Sequence, residues 1–408
     1  MNNLNQSNLL LEELETLLSE DIASVIQREQ TTFDNLITPF NKDIVLVGAG
    51  NLGKQVLQQL RQEGIEPMAF TDNNPKLWNQ NINGLIVLSP EDAALKFGQK
   101  AVFVVTIWST GHRFIETKQR LNDLNCIKVV SILSFRWKHP DVFLPCLWAD
   151  SPHKIYQNSS SIIDAFSLWS DDFSRQEYLA QIRWNALAEF DKLSSPFEEE
   201  SYFLDSIFTL LTNEVFVDCG AYDGDTLCSF ISRQSEYFNK FIALEPDPIN
   251  FNKLKSYTSE LHSKIRNKVK ISPLVVGSKK EIVNFSLTTN SAVYSVNNQE
   301  KIEVECDTLD NILSDCIPTY IKMDIEGFEI EALLGASQVI SQHAPILAIC
   351  VYHQQDHLWR VPLLIKSLYS DYKFFLRPHE EDGWQTVCYA VPNNRLNNNY
   401  ENGKLICC

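Results

Sequence analysis

Three short segments in the C-terminal half of the chain combine carboxylates with glycines or strand ends: VDCGAYDGDT, ALEPDP and KMDIEG. Carboxylates accept hydrogen bonds from hydroxyl groups and attract cations, whereas they repel phosphates. Glycine lets the backbone come close to a ligand. The segments therefore predict a site for a ligand that has a positively charged end and no phosphate. The candidate residues are Asp218, Gly220, Tyr222, Gly224, Glu245, Asp324 and Glu326.

The first segment stands between a predicted strand and a predicted helix. Apolar residues alternate up to Asp218, and TLCSFISRQ has helical spacing. A helix N-terminus behind a glycine loop can bind an anion, but Asp218, Asp223 and Asp225 would repel a pyrophosphate. These acids suit instead the amino-acid portion of S-adenosylmethionine (SAM). The residues of this predicted SAM loop are Asp218, Gly220, Tyr222 and Gly224.

The second segment ends a predicted strand about twenty residues beyond the glycine loop. An acid at this position can accept hydrogen bonds from both ribose hydroxyls, which assigns that role to Glu245. Asp247 and Pro248 are typical of the N-cap and the first residue of a helix. The next strand, VKISPLVVG, ends at Gly277, where backbone groups are predicted to meet the adenine edge.

Catalytic residues are predicted at the ends of the next two strands. Asp324 and Glu326 end TYIKMDIEG, at the sheet edge where ligands of open α/β sheets bind. Lys322 falls on the same side of that strand as Asp324 and is expected to balance its charge. His353 follows PILAICVY at an equivalent edge, where a neutral imidazole can take a hydroxyl proton. The alternative for His353 is a structural role, and Asp324 is the second candidate for the base.

An earlier glycine loop, GAGNLG, has the GxGxxG spacing through Gly48, Gly50 and Gly53. It follows an apolar strand and opens a helix, and Asp72 ends the next strand about twenty residues later. Two interpretations stay open: a nucleotide site, or a ligand-free scaffold whose glycines permit close packing. No Ser with a Tyr-x-x-x-Lys motif and no neighbouring Cys supports hydride transfer there.

Hydrophobic patterns predict an α/β fold with two Rossmann-like parallel sheets. Apolar spacing from Leu9 to Ile26 predicts an amphipathic helix that docks on the adjacent domain, with a dimerisation arm as the alternative. Near the C-terminus, KFFLRP and TVCYAVP flank a turn and should form a hairpin with an antiparallel strand. The predicted regions are an N-terminal helix (1–40), a Rossmann-like nucleotide-binding domain (41–140), a helical connector (141–213), a SAM-binding domain (214–392) and an Asn-rich tail (393–408).

The composition excludes several classes of protein. With 408 residues and a formal net charge of −17, the chain is a poor partner for nucleic-acid phosphates. No apolar run is long enough to span a membrane, and the N-terminus lacks a leader, so a cytoplasmic protein is expected. The ten cysteines show no zinc-binding spacing and no metal is predicted, although the terminal Cys407 and Cys408 could be lipidated.

Together, VDCGAYDGDT, ALEPDP, KMDIEGFEIEALLGA and PILAICVYH resemble the FkbM-type family of class I SAM-dependent methyltransferases. The resemblance covers about residues 213–392. It implies methyl transfer from SAM to a hydroxyl, typically on a sugar or a polyketide-like natural product. Where family members often have Asn after the Gly-Ala pair, this chain has Tyr222. The implied SAM and methyl-donor contacts are Asp218, Gly220, Gly224, Glu245, Asp324 and Glu326.

Residues 42–133 resemble the N-terminal Rossmann-like domain of bacterial sugar acyltransferases, through VLVGAGNLGKQVLQQL and FTDNNPKLWNQNINGLIVLSPED. This resemblance implies a nucleotide or nucleotide-sugar ligand. The sequence thus favours an O-methyltransferase acting on a saccharide or a related metabolite. The alternatives are an NAD(P)-linked oxidoreductase or nucleotide-sugar-binding protein that uses the first loop, a bifunctional protein, and a regulatory protein without turnover.

Overall fold

The computed structural model describes residues 2–146, 149–286 and 301–397. The terminal Cys407 and Cys408 and most of the Asn-rich tail lie outside these ranges. Within the ranges, no helix has the length and apolar character that crossing a membrane requires.

Two helices form the N-terminus, α1 (Asn2–Leu18) and α2 (Ile22–Ile37). The prediction of one helix through this region was wrong, because the Asp21 side chain accepts a hydrogen bond from the Ser24 backbone N–H and caps a new helix. Leu14 and Leu18 are buried against the helices of the connector. The segment therefore docks on its own chain, as its apolar face predicted.

The first sheet has six strands, which pair in parallel except β3, which is antiparallel to β4. Its order is β3-β4-β2-β1-β5-β6, and the parallel strands follow the arrangement of a dinucleotide-binding fold. The strands are β1 (Ile44–Val47), β2 (Ala69–Thr71), β3 (Asn81–Ile82), β4 (Leu85–Leu88), β5 (Val102–Val105) and β6 (Val129–Ser131). Its helices are α3 (Asn51–Gln62), α4 (Pro90–Phe97) and α5 (Phe114–Asp123).

Helices between the two sheets connect them, and they cover one face of the second sheet. Trp169 and Tyr178 of this region are buried in the core that also contains the inner residues of the second sheet. The helices are α6 (Leu133–Lys138), α7 (Pro140–Phe143), α8 (His153–Gln157), α9 (Ser159–Phe166) and α10 (Asp172–Leu187).

A second sheet of seven strands and a separate sheet of three strands follow. The strands in chain order are β7 (Val215–Cys219), β8 (Lys240–Leu244), β9 (Val269–Ser272), β10 (Val275–Val276), β11 (Glu281–Ser286), β12 (Lys301–Asp307), β13 (Tyr320–Met323), β14 (Ile346–Cys350), β15 (Tyr372–Pro378) and β16 (Thr386–Pro392). The helices are α11 (Asp225–Gln234), α12 (Pro248–Glu260), α13 (Ser263–Arg266), α14 (Leu309–Ile312), α15 (Glu329–Leu334), α16 (Ser337–His343) and α17 (His357–Leu368).

The seven-stranded sheet has the order β15-β16-β14-β13-β7-β8-β9. Its strands are parallel except β16, which pairs antiparallel with both β14 and β15. The α/β fold class and the antiparallel strand of the last hairpin are therefore confirmed. One predicted strand was wrong, because Pro273 lacks an N–H for the ladder and VKISPLVVG divides into β9 and β10. Strand β10 belongs to the three-stranded sheet.

Candidate active site

The central strands of the seven-stranded sheet bring their carboxyl ends together. Lys322 lies opposite Asp218, and the last residue of β7, Cys219, lies opposite the last residue of β8, Leu244. Residues that follow these strands therefore meet at one edge of the sheet, where ligands of open α/β sheets bind. This edge gathers the glycine loop after β7, Glu245 and Asp324.

The loop after β7 depends on glycine where it approaches β13. Gly220 has a φ of 81°, and a Cβ atom built on it would lie 1.9 Å from the carbonyl oxygen of Asp324. Gly224, with a φ of 99°, is the N-cap of α11. Gly220 thus permits a backbone contact between the predicted SAM loop and the predicted catalytic residue Asp324.

Glu245 holds the glycine loop to the end of β8. One carboxylate oxygen accepts a hydrogen bond from the Tyr222 N–H (2.8 Å), and the other accepts one from the Asp247 N–H (2.9 Å). Burial raises the pKa of Glu245 to about 7, although both backbone donors act against this rise. Asp247 accepts from the Ile249 and Asn250 N–H groups as an N-cap, as predicted.

Asp218 and Lys322 form a buried ion pair behind the loop. The Lys322 Nζ lies 2.9 Å from Asp218 Oδ1 and donates to the Gly220 carbonyl oxygen at 2.7 Å. Burial raises the pKa of Asp218 to about 6, and the ammonium group of Lys322 opposes this rise. The charge of Lys322 also lowers the pKa of Asp324, in line with the predicted balance, but its ion-pair partner is Asp218 on the neighbouring strand.

Asp324 belongs to a buried network of charges that continues into α15 and α17. His353 Nε2 lies 3.2 Å from Asp324 Oδ1, and His353 Nδ1 lies 2.7 Å from Glu329 Oε1. His357 Nδ1 approaches the other oxygen of Glu329 at 3.3 Å. Two tyrosine hydroxyls also donate to Asp324, from Tyr202 to Oδ2 (3.0 Å) and from Tyr352 to Oδ1 (3.1 Å).

The pKa shifts of this network describe a cation between two anions. Burial by itself lowers the pKa of His353, but the carboxylates of Glu329 and Asp324 outweigh burial and raise that pKa well above its usual value. The reverse holds for Glu329, where burial is outweighed by His353 and the pKa falls to about 2. Hydrogen bonds and charge from His353 likewise hold the pKa of Asp324 below its usual range.

This geometry argues against the predicted role of His353 as a general base. An imidazolium with both nitrogens protonated and each within 3.2 Å of a carboxylate oxygen has no free lone pair for a hydroxyl proton. Of the two carboxylates that flank His353, Asp324 has about a fifth of its side chain exposed at the carboxyl edge of the sheet, whereas Glu329 is buried. Glu326 lies in the turn after β13 with a φ of 56°, and its side chain is 55% exposed.

We predict that the network makes stability depend on pH in a defined direction. His353 contributes stability that is full below its usual pKa of 6.5 and is lost as pH rises through its raised value. Glu329 contributes stability that is full above its usual pKa of 4.5 and is lost as pH falls towards about 2. Both contributions are full between pH 4.5 and pH 6.5, so His353→Gln should destabilise the fold there by about 3 kcal/mol. Urea denaturation measures this loss.

The difference between the wild type and His353→Gln should shrink as pH rises through the raised pKa of His353. His343→Gln is a matched control, because His343 is exposed on α16 and outside the network. A difference that is the same at every pH would show that folding does not shift the pKa of His353, which would contradict the charged network.

Sequence reasoning missed Tyr202, Glu329, Tyr352 and His357. Tyr352 is next to His353, and His357 follows His353 by four residues in HQQDH, so the sequence gave a weak signal for both. Glu329 lies on the same segment as Glu326 but gave no sign of its contact with His353. Tyr202 comes from the connector, far from the other residues in sequence, and gave no signal.

Gly277 follows β10, a strand of the three-stranded sheet and not of the seven-stranded one. Its carbonyl oxygen would lie 2.0 Å from a Cβ atom at Gly335, and a Cβ on Gly277 would lie 2.7 Å from the Cys306 Sγ. The structure thus gives this glycine a packing role, and its predicted contact with adenine stays a prediction. Across the described ranges, no group of three or more His, Cys, Asp or Glu side chains is arranged to hold a metal ion.

The first glycine loop packs tightly at the end of β1. A Cβ atom at Gly53 would lie 2.1 Å from the Gly48 carbonyl oxygen, whereas Gly50 faces open space. Asp72 accepts hydrogen bonds from the Ala49 and Asn74 N–H groups. The cleft beside the loop encloses about 20 Å³, far below the several hundred Å³ typical of ligand sites. These contacts support close packing, and a nucleotide there stays a prediction.

Comparison with known proteins identifies the second half of the chain. Residues 218–383 match the family model of the methyltransferase FkbM domain. The structure resembles the crystal structure of methyltransferase FkbM from Methylobacillus flagellatus KT with a TM-score of 0.71 and 22% sequence identity, over 95% of this chain and 100% of that one. No curated protein matches the chain.

Two further solved structures have weaker similarity. The methyltransferase domain of bacterial CtHen1-CN matches 44% of this chain and 91% of its own, with a TM-score of 0.29 and 10% identity. UDP-D-quinovosamine 4-dehydrogenase from Vibrio fischeri matches 22% of this chain and 75% of its own, with a TM-score of 0.19 and 19% identity. Both TM-scores are too low to bear on function. Residues 218–383 thus match the methyltransferase FkbM domain, the family that the four motifs of this segment resembled.

Proposed function

We propose that this chain is a SAM-dependent O-methyltransferase that acts on a hydroxyl group of a saccharide or a related small metabolite. One observation carries the proposal: the glycine loop, Glu245 and Asp324 converge at one edge of the sheet, with Gly220 packed against the backbone of Asp324. A donor seated on the loop would therefore lie next to Asp324. The FkbM domain match supports methyl transfer as the reaction.

The residues of this edge fit SAM better than a dinucleotide. Gly220 and Gly224 have φ values of 81° and 99°, and side chains there would collide with Asp324 and crowd Tyr257, so the shape of the loop depends on glycine. Each oxygen of Glu245 has one backbone donor and a further lone pair for a ribose hydroxyl. Asp223 and Asp225 add negative charge to the loop, which opposes a pyrophosphate. When bound, SAM supplies a methyl group made electrophilic by its sulfonium.

The protein has to align the acceptor oxygen with the donor and to receive one proton. Alignment at near-attack distance accounts for much of the rate in such reactions. We propose Asp324 as the proton acceptor in place of His353. Its low pKa makes it a weak base, but the oxonium that forms as the new C–O bond closes is a strong acid, so a weak base suffices.

Methyl transfer from tritiated SAM to a panel of saccharides and other polyhydroxylated metabolites tests the proposal. We expect incorporation of label into at least one member of the panel and none into DNA or RNA, because the chain carries a net charge of −17. Label that enters only a protein, an amine or a nucleic acid would contradict the proposed acceptor class but not the methyltransferase domain.

At a pH above the raised pKa of Glu245, about 7, Glu245→Gln should weaken SAM binding by about 1–3 kcal/mol, because a neutral amide cannot accept charge-assisted hydrogen bonds from the ribose. Isothermal titration calorimetry of both proteins gives the difference. Glu260→Gln is the matched control, since Glu260 is an exposed residue at the end of α12. Equal affinities of the wild type and Glu245→Gln would remove the ribose assignment.

A further inference from the structure

Tyr202, in the connector upstream of β7, has a backbone conformation that bulky residues rarely adopt. Its φ is 71°, in the left-handed region. Strained residues of this kind persist only where their surroundings fix them, and they concentrate at functional sites. The contacts of Tyr202 therefore indicate what the strain serves.

Two tyrosines from the second sheet hold the strained backbone. The Tyr202 N–H donates to the hydroxyl oxygen of Tyr389 (2.9 Å), and the Tyr320 hydroxyl donates to the Tyr202 carbonyl oxygen (2.5 Å). Tyr389 can then donate its own proton to His379 Nε2 at 2.8 Å. Burial lowers the pKa of His379 to about 4, so that ring is a neutral acceptor. Strands β13 and β16 thus fix Tyr202 from both sides.

The side chain of Tyr202 reaches both halves of the candidate active site. Its ring lies over the Lys322 ammonium, with 5.2 Å between Nζ and the ring centroid. Lys322 in turn holds Asp218 and the carbonyl oxygen of Gly220. The hydroxyl of Tyr202 donates to Asp324 Oδ2 at 3.0 Å. One side chain therefore links the glycine loop to the carboxylate beside it.

The two oxygens of Asp324 have different surroundings. Oδ1 lies within 3.2 Å of Tyr352 Oη and His353 Nε2. Oδ2 accepts a hydrogen bond from the Tyr202 hydroxyl within the described ranges. A carboxylate oxygen has lone pairs for more than one donor, so Oδ2 retains accepting capacity for a ligand. The orientation of that oxygen depends on Tyr202.

We propose that Tyr202 is a positioning residue that holds Asp324 Oδ2 towards the sulfonium of the methyl donor. The inference rests on the proposed function, because it needs SAM on the glycine loop. S-adenosylhomocysteine (SAH) lacks the positive charge of the sulfonium and is otherwise the same ligand. The ratio of the SAM affinity to the SAH affinity therefore measures how strongly Asp324 interacts with the positive charge of the sulfonium.

Calorimetric titration of the full chain with SAM and with SAH tests the proposal. Tyr202→Phe removes the hydroxyl alone and should lower SAM affinity roughly tenfold while SAH affinity stays within about twofold. Tyr372→Phe is the matched control, since Tyr372 is also buried in the second sheet and donates to the Pro345 carbonyl oxygen away from the site. It should leave both affinities unchanged.

A double-mutant cycle distinguishes positioning from general support of the fold. If Tyr202 acts through Asp324, Tyr202→Phe combined with Asp324→Asn should lose no more SAM preference than Asp324→Asn alone. Equal loss of SAM and SAH affinity, or no loss, would overturn the inference and leave the proposed function intact. A wild-type protein that binds neither ligand would overturn the proposed function, and the inference with it.

Discussion

Gly220→Ala should abolish SAM binding and destabilise the fold by about 2–4 kcal/mol. The added Cβ atom would lie 1.9 Å from the Asp324 carbonyl oxygen and 2.9 Å from its carbon, so the backbone of β13 or of the loop would have to move. The φ of 81° adds strain for any side chain. Chemical denaturation measures the loss of stability, and calorimetry measures the loss of SAM binding.

Gly64→Ala is the control for Gly220→Ala. Gly64 has a similar φ of 73°, and a Cβ atom there would meet nothing within 4 Å. It should show the strain of the left-handed conformation alone, about 1–2 kcal/mol, with SAM binding unchanged. If Gly220→Ala and Gly64→Ala lose the same stability and both still bind SAM, the site does not depend on the close contact between the glycine loop and β13.

Lys322→Met should destabilise the protein by about 3–5 kcal/mol, because it leaves the Asp218 carboxylate buried without its cation. The loss should be larger at alkaline than at acidic pH. Burial already raises the pKa of Asp218 to about 6, and without Lys322 that pKa rises further, so protonation at low pH relieves the unpaired charge. Urea denaturation on both sides of that pKa measures the effect.

Two further variants isolate the cause of the Lys322 effect. Asp218→Asn in the Lys322→Met background should recover part of the stability and reduce the pH dependence, since the buried Asp218 carboxylate is removed. Lys373→Met removes a lysine from an exposed position of β15 in the same sheet and should change stability little. A Lys322→Met protein with unchanged stability at all pH values would contradict a buried ion pair.

The sequence was sufficient for features that depend on local pattern. Strand β7, the glycines that follow it and the N-cap at Asp247 lie within a few residues of one another, and each has its own signature. Parallel strands place their carboxyl ends at one edge, which made the proximity of Glu245 and Asp324 predictable without coordinates. The α/β class and the antiparallel last strand followed from the same patterns.

Partners supplied by tertiary packing could not be predicted in this way. Lys322 pairs across the sheet with Asp218, because the register of β13 and β7 places them side by side, whereas the sequence showed only its relation to Asp324. The charge of His353 depends on Glu329, which a helix brings against it. Tyr202 reaches Asp324 from the connector, where no motif marks it. The apolar pattern of VKISPLVVG predicted one continuous strand, but β9 ends just before Pro273.

The most direct test of the central claim is calorimetric titration of the full wild-type chain with SAM and, separately, with NAD⁺. We predict saturable binding of SAM at one site, lost in Gly220→Ala and weakened in Glu245→Gln, as expected for a donor that binds on the loop between β7 and α11. Tight binding of NAD⁺ with no binding of SAM would contradict that claim and return the chemistry to the first glycine loop.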